Sequence, residues 1–178
     1  FLQHGGEMGE RIKNYPWQNT SLGPIENWPQ SLRNTLSLIL KSRFPMFLYW
    51  GTDLLCFYND AYIPTFGDNG KHPDALGRPG AEVWAEIWDV LDPLIKSILD
   101  GGEASWVEDQ QLMLLRNGQL EETYWTYSYS PVVDESGTAL GIFCSTSETT
   151  NKVITLREVE ESRRSLRNMI LLSPAAMC

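Results

Sequence analysis

The sequence predicts an α+β domain in which five strands flank a helical middle, and three observations carry that expectation. Residues Pro45 to Trp50 and Leu54 to Tyr58 are dense in aromatic and bulky side chains and are separated by Gly51-Thr52-Asp53, which reads as a hairpin. Residues Ser105 to Leu115, Leu120 to Pro131 and Ala139 to Ser147 form a second strand group. They are joined by Asn117-Gly118 and by Asp134-Glu135-Ser136-Gly137, and Asn-Gly between such runs marks a hairpin because both turn residues tolerate positive φ. Between the two groups, Trp84, Trp88 and Leu91 recur at helical spacing.

Taken in order, the first residues, through Gly9, are Gly-rich and expected to fray. Leu22 to Pro29 punctuates the chain, and Pro29 suits the first turn of a helix that ends near Ser42. Leu32, Leu36, Ile39 and Leu40 give that helix one apolar stripe. After the first hairpin the strand runs directly into a helical turn at Asn59, whose side chain accepts from free backbone N–H groups, while Ala61 lets the turn lie close on a sheet. From Asp60 to Gly80 repeated Pro and Gly predict short turns and loops. A helix is expected over Ala81 to Leu91, capped and restarted at Asp92-Pro93, and stopped by Gly101-Gly102. After Thr150 the composition turns charged and helix-forming. There Leu156, Val159, Arg163, Leu166 and Ile170 alternate steps of three and four, the spacing of a coiled-coil seam with one charged member. Exposed stripes at Leu36 and Ile39 and along this seam predict a homodimer paired through its terminal helices.

Composition excludes several classes. The chain has 178 residues, is 42% hydrophobic and carries a net charge of -9, so it supports a real core but no basic face for a polyanion; nucleic acid is not an expected partner. The apolar stretches are cut by Lys41, Arg43 and Asp53, short of a membrane span. Cys56, Cys144 and Cys178 lack CxxC spacing and read as reduced cysteines of a cytoplasmic protein. With no initial Met and an abrupt end at Pro174-Ala175-Ala176-Met177-Cys178, the chain reads as a fragment of something longer.

No catalytic constellation stands out. A phosphoacceptor helix needs an exposed His beside an acidic base, and the chain offers only His4 near its start and His72 beside Pro73. There is no Gly-rich phosphate loop. Glu108-Asp109, Glu121-Glu122 and Asp134-Glu135 are adjacent pairs, which on a strand point to opposite faces and do not converge; no metal site is expected. What the sequence does supply is an aromatic wall. Trp125, Tyr127 and Tyr129 share one strand face, as do Phe47 and Tyr49, Trp84 and Trp88 stand one helical turn apart, and Tyr62 completes the set. Such walls suit an apolar or aromatic ligand held by a few polar tips. The plainer reading is that seven Trp and seven Tyr fill a core.

The order of elements resembles the PAS sensory family. The resemblance rests on Asn59, Ala61 and Gly67 after the first strand pair, on Leu76-Gly77-Arg78 followed by a helix, and on three strands ending at Glu148-Thr149-Thr150. Phe44-Pro45-Met46-Phe47, the segment Gly77-Arg78-Pro79-Gly80-Ala81-Glu82 and Glu121-Glu122-Thr123-Tyr124-Trp125 look like the N-terminal PAS domains of bacterial multidomain sensors. The resemblance implies one five-stranded antiparallel sheet with helices on one face, an extra N-terminal helix and a C-terminal signalling helix. It divides the chain into an N-terminal extension (1–28), the PAS domain with its leading helix (29–150), a signalling linker (151–170) and a stub of a following, similar domain (171–178). It also implies that the aromatic residues named above surround a central cavity. Flavin-binding relatives carry a reactive Cys after the Gly-Arg segment and haem-binding relatives an axial His. Residues 77–84 hold no Cys and residues 81–99 no His, so neither cofactor is expected. The function implied is a non-catalytic input domain of a two-component histidine kinase, with downstream kinase domains in the same chain and room for a small-molecule ligand. Three alternatives stay open: a structural dimerisation module, a small-molecule enzyme with the same architecture, and the input domain of a PPM-type phosphatase or cyclic-dinucleotide enzyme.

Overall fold

The computed structural model describes residues 1–68 and 70–171. In chain order, helices Gly6–Asn14 (α1) and Gln30–Ile39 (α2) precede strands Met46–Trp50 (β1) and Leu55–Tyr58 (β2). Helices Gly80–Val83 (α3) and Trp88–Leu99 (α4) follow, then strands Ser105–Arg116 (β3), Gln119–Val133 (β4) and Ala139–Glu148 (β5), and finally helix Thr150–Leu171 (α5). The strands form one antiparallel sheet in the order β2-β1-β5-β4-β3. Because β1 and β5 are central neighbours, the two hairpins close on each other, and Tyr49 pairs with Cys56 on one side and Ile142 on the other. Asn59 caps the 3-10 helix Asp60–Phe66, its Oδ1 accepting from Tyr62 N at 3.1 Å. That helix ends on Gly67 at φ 73°, where a Cβ would lie 2.7 Å from Asn117 Oδ1. Only glycine fits both the angle and the approach.

Both faces of the β1–β2 hairpin are covered. Phe47, Tyr49, Cys56 and Tyr58 face α3, α4 and the 3-10 helix, whereas Leu48 and Phe57, buried on the opposite face, meet the N-terminal segment. Trp17 stacks on Phe57 at 4.9 Å and Trp28 meets it edge-on at 5.7 Å. The N-terminal segment therefore covers the hairpin face opposite α3 and α4, and Met8, Ile12, Trp17 and Trp28 belong to the core.

The expectation of a frayed start is corrected. Met8 and Ile12, one turn apart on α1, are fully buried. The N-cap Gly5 has no side chain to accept from the first free N–H groups; the carboxylate of Asp60 does so from across the fold, taking Glu7 N at 2.9 Å and Met8 N at 2.8 Å. A carboxylate there also complements the positive end of the helix. Asp60→Ala is expected to lower stability by about 1–2 kcal/mol, as loss of a good cap does, and to speed hydrogen exchange at the Glu7 and Met8 amides. Unchanged exchange at both amides would show that α1 is held by packing alone.

Three further expectations are revised. The helix over Ala81 to Leu91 is broken at Trp84–Ile87, and Pro93 lies inside α4. The one helical bond that Pro93 forgoes would reach the carbonyl of Asp89, which is exposed, so water replaces it cheaply. Leu36 and Ile39 are buried in the chain's own core, which leaves no such stripe on α2 for a partner. Glu108 and Asp109 do converge. A bulge between Val107 and Gln110, with Asp109 at φ 49°, brings both carboxylates to Lys152 Nζ, at 3.6 and 2.9 Å. The signalling linker is observed as α5, one residue longer at each end, with no buried residue along it. The stub, apart from Leu171, lies outside the described residues.

Candidate functional site

Beneath the sheet lies a small cavity of about 40 Å³. Tyr49 enters it from β1, Tyr62 from the 3-10 helix, Trp84 from the end of α3, and Trp125, Tyr127 and Tyr129 from β4. Six of the eight expected residues thus meet. Phe47 is buried deeper, packed between Tyr49, Tyr58, Tyr62 and Trp84 at ring distances of 4.8–6.0 Å. Trp88 instead covers Tyr49 from outside, at 6.3 Å, above Gly80, where a Cβ would lie 2.8 Å from the Tyr49 ring. Leu112 and Leu114 on β3, Cys144 and Thr146 on β5, and Thr65, Ile87 and Leu91 complete the wall. The strand members could have been found, since each pair alternates in sequence on the strand face that β4 already defines.

Burial pushes the phenols of Tyr49, Tyr62 and Tyr129 well above the ordinary tyrosine range and raises the Cys144 and Cys56 thiols likewise. These groups stay protonated, so the thiols are poor nucleophiles. Outside the wall, Lys71 pairs with Glu86 and its Nζ lies 4.1 Å from the centroid of Trp84. Burial lowers the Lys71 pKa, against the opposing bond to Glu86. Glu86 Oε1 also accepts from Leu115 N at 3.0 Å, so one carboxylate ties the Trp84–Ile87 turn to β3. His72 bridges Tyr58 and Glu7, at 3.0 Å to each. A larger open groove of about 850 Å³ runs between α1 and residues 73–78. Its arginines are already paired, Arg11 with Glu7 and Arg78 with Glu82. Among the described residues no group of three or more His, Cys, Asp or Glu could hold a metal.

The cavity is joined to α5 through the end of the sheet. Thr149 N donates to Tyr124 O at 2.7 Å, and Thr150 Oγ1 accepts from Tyr124 N at 3.0 Å. Arg116 grips Glu148 with two bonds of 2.9 and 2.7 Å and reaches Glu121 at 2.7 Å. Burial by itself raises the Glu148 carboxyl, but the bonds from Arg116 and Thr150 outweigh it and hold the pKa below the usual carboxylate range. Farther along α5, Arg157 Nη2 donates to the Tyr124 hydroxyl at 2.6 Å.

No protein-family model and no curated protein sequence matches the chain. In structure it is similar to the PAS domain of Bordetella pertussis BvgS over 77% of this chain and 99% of that one, with 20% identity and a TM-score of 0.53. The chain has the PAS fold. An RNA-binding Light-Oxygen-Voltage receptor shares this PAS architecture over 86% of the chain, at 18% identity and a TM-score of 0.53, and the chain spans 43% of that receptor's length. The phage VqmA–DPO complex matches over 76% of the chain and 59% of its own length, at 16% identity and a TM-score of 0.51. Against the PAS fold, the segment that carries the cavity runs from Tyr49 to Thr146, and α5 is the helix leaving it. No helix among the described residues is long and apolar enough to cross a membrane.

Proposed function

We propose that this chain is the sensory input and dimerisation domain of a two-component histidine kinase, cytoplasmic and itself non-catalytic, which passes the state of its cavity to kinase domains beyond α5. The observation that carries this reading is the adjacency of Tyr124 and Trp125. The Trp125 side chain lines the cavity, while the Tyr124 backbone holds Thr149 and Thr150 at the start of α5. A shift of β4 that follows the cavity must therefore move the helix. The kinase output rests on the resemblance of the Phe44–Phe47, Gly77–Glu82 and Glu121–Trp125 segments to sensor PAS domains. That VqmA, with the same fold, was solved as a complex with DPO supports a ligand-binding role. Only a ligand that binds two arrangements of the junction unequally shifts the output, with a coupling of about 1–3 kcal/mol.

A second reading, relay through assembly without a ligand, is favoured by the cavity's volume of about 40 Å³, since a water requires roughly 10–15 Å³.

The test is autophosphorylation of the full-length protein with labelled ATP. Phosphohistidine is expected, with the basal rate changed at least about fivefold, the lower end of typical couplings, by Thr150→Pro and by Tyr127→Phe. A full-length protein that forms no phosphohistidine overturns the kinase output and favours a phosphatase or cyclic-dinucleotide enzyme. Unchanged rates in both variants overturn the route from cavity to helix.

A further inference from the structure

No side chain lining the cavity is charged. The Lys71 ammonium lies against the Trp84 ring, outside the cavity wall, and is engaged by Glu86. An ionised guest would give up its hydration and find no counterion, a cost that buried charges without partners do not recover. The protonated phenols and thiol around it offer no compensating negative charge.

The buried indole donors of the domain are unevenly used. Trp17 Nε1 donates to Ile12 O at 2.6 Å, Trp28 Nε1 to Gly23 O at 3.0 Å and Trp125 Nε1 to Thr123 Oγ1 at 2.7 Å. Trp84 Nε1 is buried and has no partner among the described residues. Buried indole N–H groups are ordinarily satisfied, so a wall residue with an unused donor marks the point where a guest's acceptor fits. The Lys71 cation near the same ring draws density from the indole and makes its N–H a stronger donor.

We propose that the cavity takes a compact, uncharged molecule whose hydrogen-bond acceptor is held by Trp84 Nε1. This rests on the ligand-binding reading above and names the chemistry of that ligand. At about 40 Å³ the resting cavity holds about three water-sized units, which corresponds to a molecule of three or four non-hydrogen atoms. A larger acceptor-bearing molecule enters only as the Trp84–Ile87 turn parts from β3, a movement that the bond from Leu115 N to Glu86 resists.

The experiment uses three probes of one size: acetone, uncharged with an acceptor; isobutene, the same shape without one; and acetate, the same size and anionic. Indole N–H resonances are followed by two-dimensional NMR, with that of Trp84 assigned through Trp84→Phe. Acetone is expected to move the Trp84 resonance saturably at millimolar concentration, since a ligand of so few heavy atoms supports only weak binding. It should bind at least about fivefold more tightly than isobutene, as one net hydrogen bond implies, and acetate should leave the resonance in place. In Trp84→Phe the preference for acetone over isobutene should vanish; if that variant does not fold, the same comparison on the unaltered chain decides. Acetate binding as well as acetone, acetone binding no better than isobutene, or no shift with any probe overturns the proposal. Resonances of Leu156 and Leu166 on α5 are read in the same titration. If acetone binds at Trp84 while they stay fixed, the ligand chemistry stands and the sensory coupling falls.

Discussion

Asn59→Ala is expected to lower the stability of the domain by about 3 kcal/mol, because several buried backbone groups lose their partner together and each unsatisfied group costs about 1–3 kcal/mol before relaxation. Asn59 is fully buried. Its Oδ1 accepts from Met46 N and Tyr62 N, both at 3.1 Å, and its Nδ2 donates toward Ile39 O, Ser42 O and Phe44 O at 3.1, 3.2 and 2.8 Å. One amide thereby fixes the end of α2, the entry into β1 and the start of the 3-10 helix after β2. Asn59→Asp keeps the acceptor and the shape but replaces the donor with a charge facing three carbonyls, and it should cost at least as much. Denaturant midpoints read both, and for a domain of this size the alanine variant should melt roughly 6–12 °C lower. A loss below about 1 kcal/mol, the net value of a single hydrogen bond, would mean that the three segments hold their positions without the amide.

The second large effect is expected at the seam. Substituting Leu156 and Leu166 with Asp should convert a dimer of the chain to monomer in analytical ultracentrifugation, halving the measured mass. Leu156, Val159, Leu166 and Ile170 are exposed by 50–68%, and α5 is anchored to the sheet only near its start, through Lys152 on Asp109 and Arg157 on Tyr124 and Glu122. Beyond Arg157 the helix makes no hydrogen bond or ion pair to the sheet among the described residues, and isolated helices shorter than about 12–15 residues are marginal in water. A parallel partner would supply the missing surface, with Arg163 at the seam reaching outward from it. Because no α5 residue is buried in the domain itself, the double variant should keep its melting transition while losing helical signal. A dimer that persists in the variant, or a wild-type chain that is monomeric at tens of micromolar, would remove the seam from the mechanism.

How far the fold could be read in advance depended on whether its determinants were local. The hairpin at Asn117-Gly118, the cap at Asn59 and the alternation of Trp125, Tyr127 and Tyr129 are each written in a few consecutive residues, and each appears where expected. Helix α1 was not legible because its cap, Asp60, lies more than fifty residues away, so its Gly-rich start looks unsupported in isolation. The convergence of Glu108 and Asp109 depends on a bulge, and no turn residue announces it. Pro93 has the look of a boundary in sequence, although its lost bond faces solvent. At the site, strand alternation gives the face but not the depth, so it admits Phe47, which lies behind the wall, and helical spacing likewise admits Trp88, which lies outside Tyr49. The unused donor of Trp84 has no signature in sequence at all, since it is defined by what its neighbours fail to offer.

The N-terminal segment bears on how this domain can be transplanted. A graft cut at Pro29, where the sequence first looks like a PAS domain, would leave Phe57 without Trp17 and Trp28 and leave the Asp60 carboxylate with no helix to cap. Such a chimera would carry the cavity and the outgoing helix intact and still present a bare aromatic surface on the back of the sheet. The portable unit therefore starts before Gly6, and its two joints are unlike: the outgoing one is a helix that stands clear of the domain, and the incoming one is folded into the core.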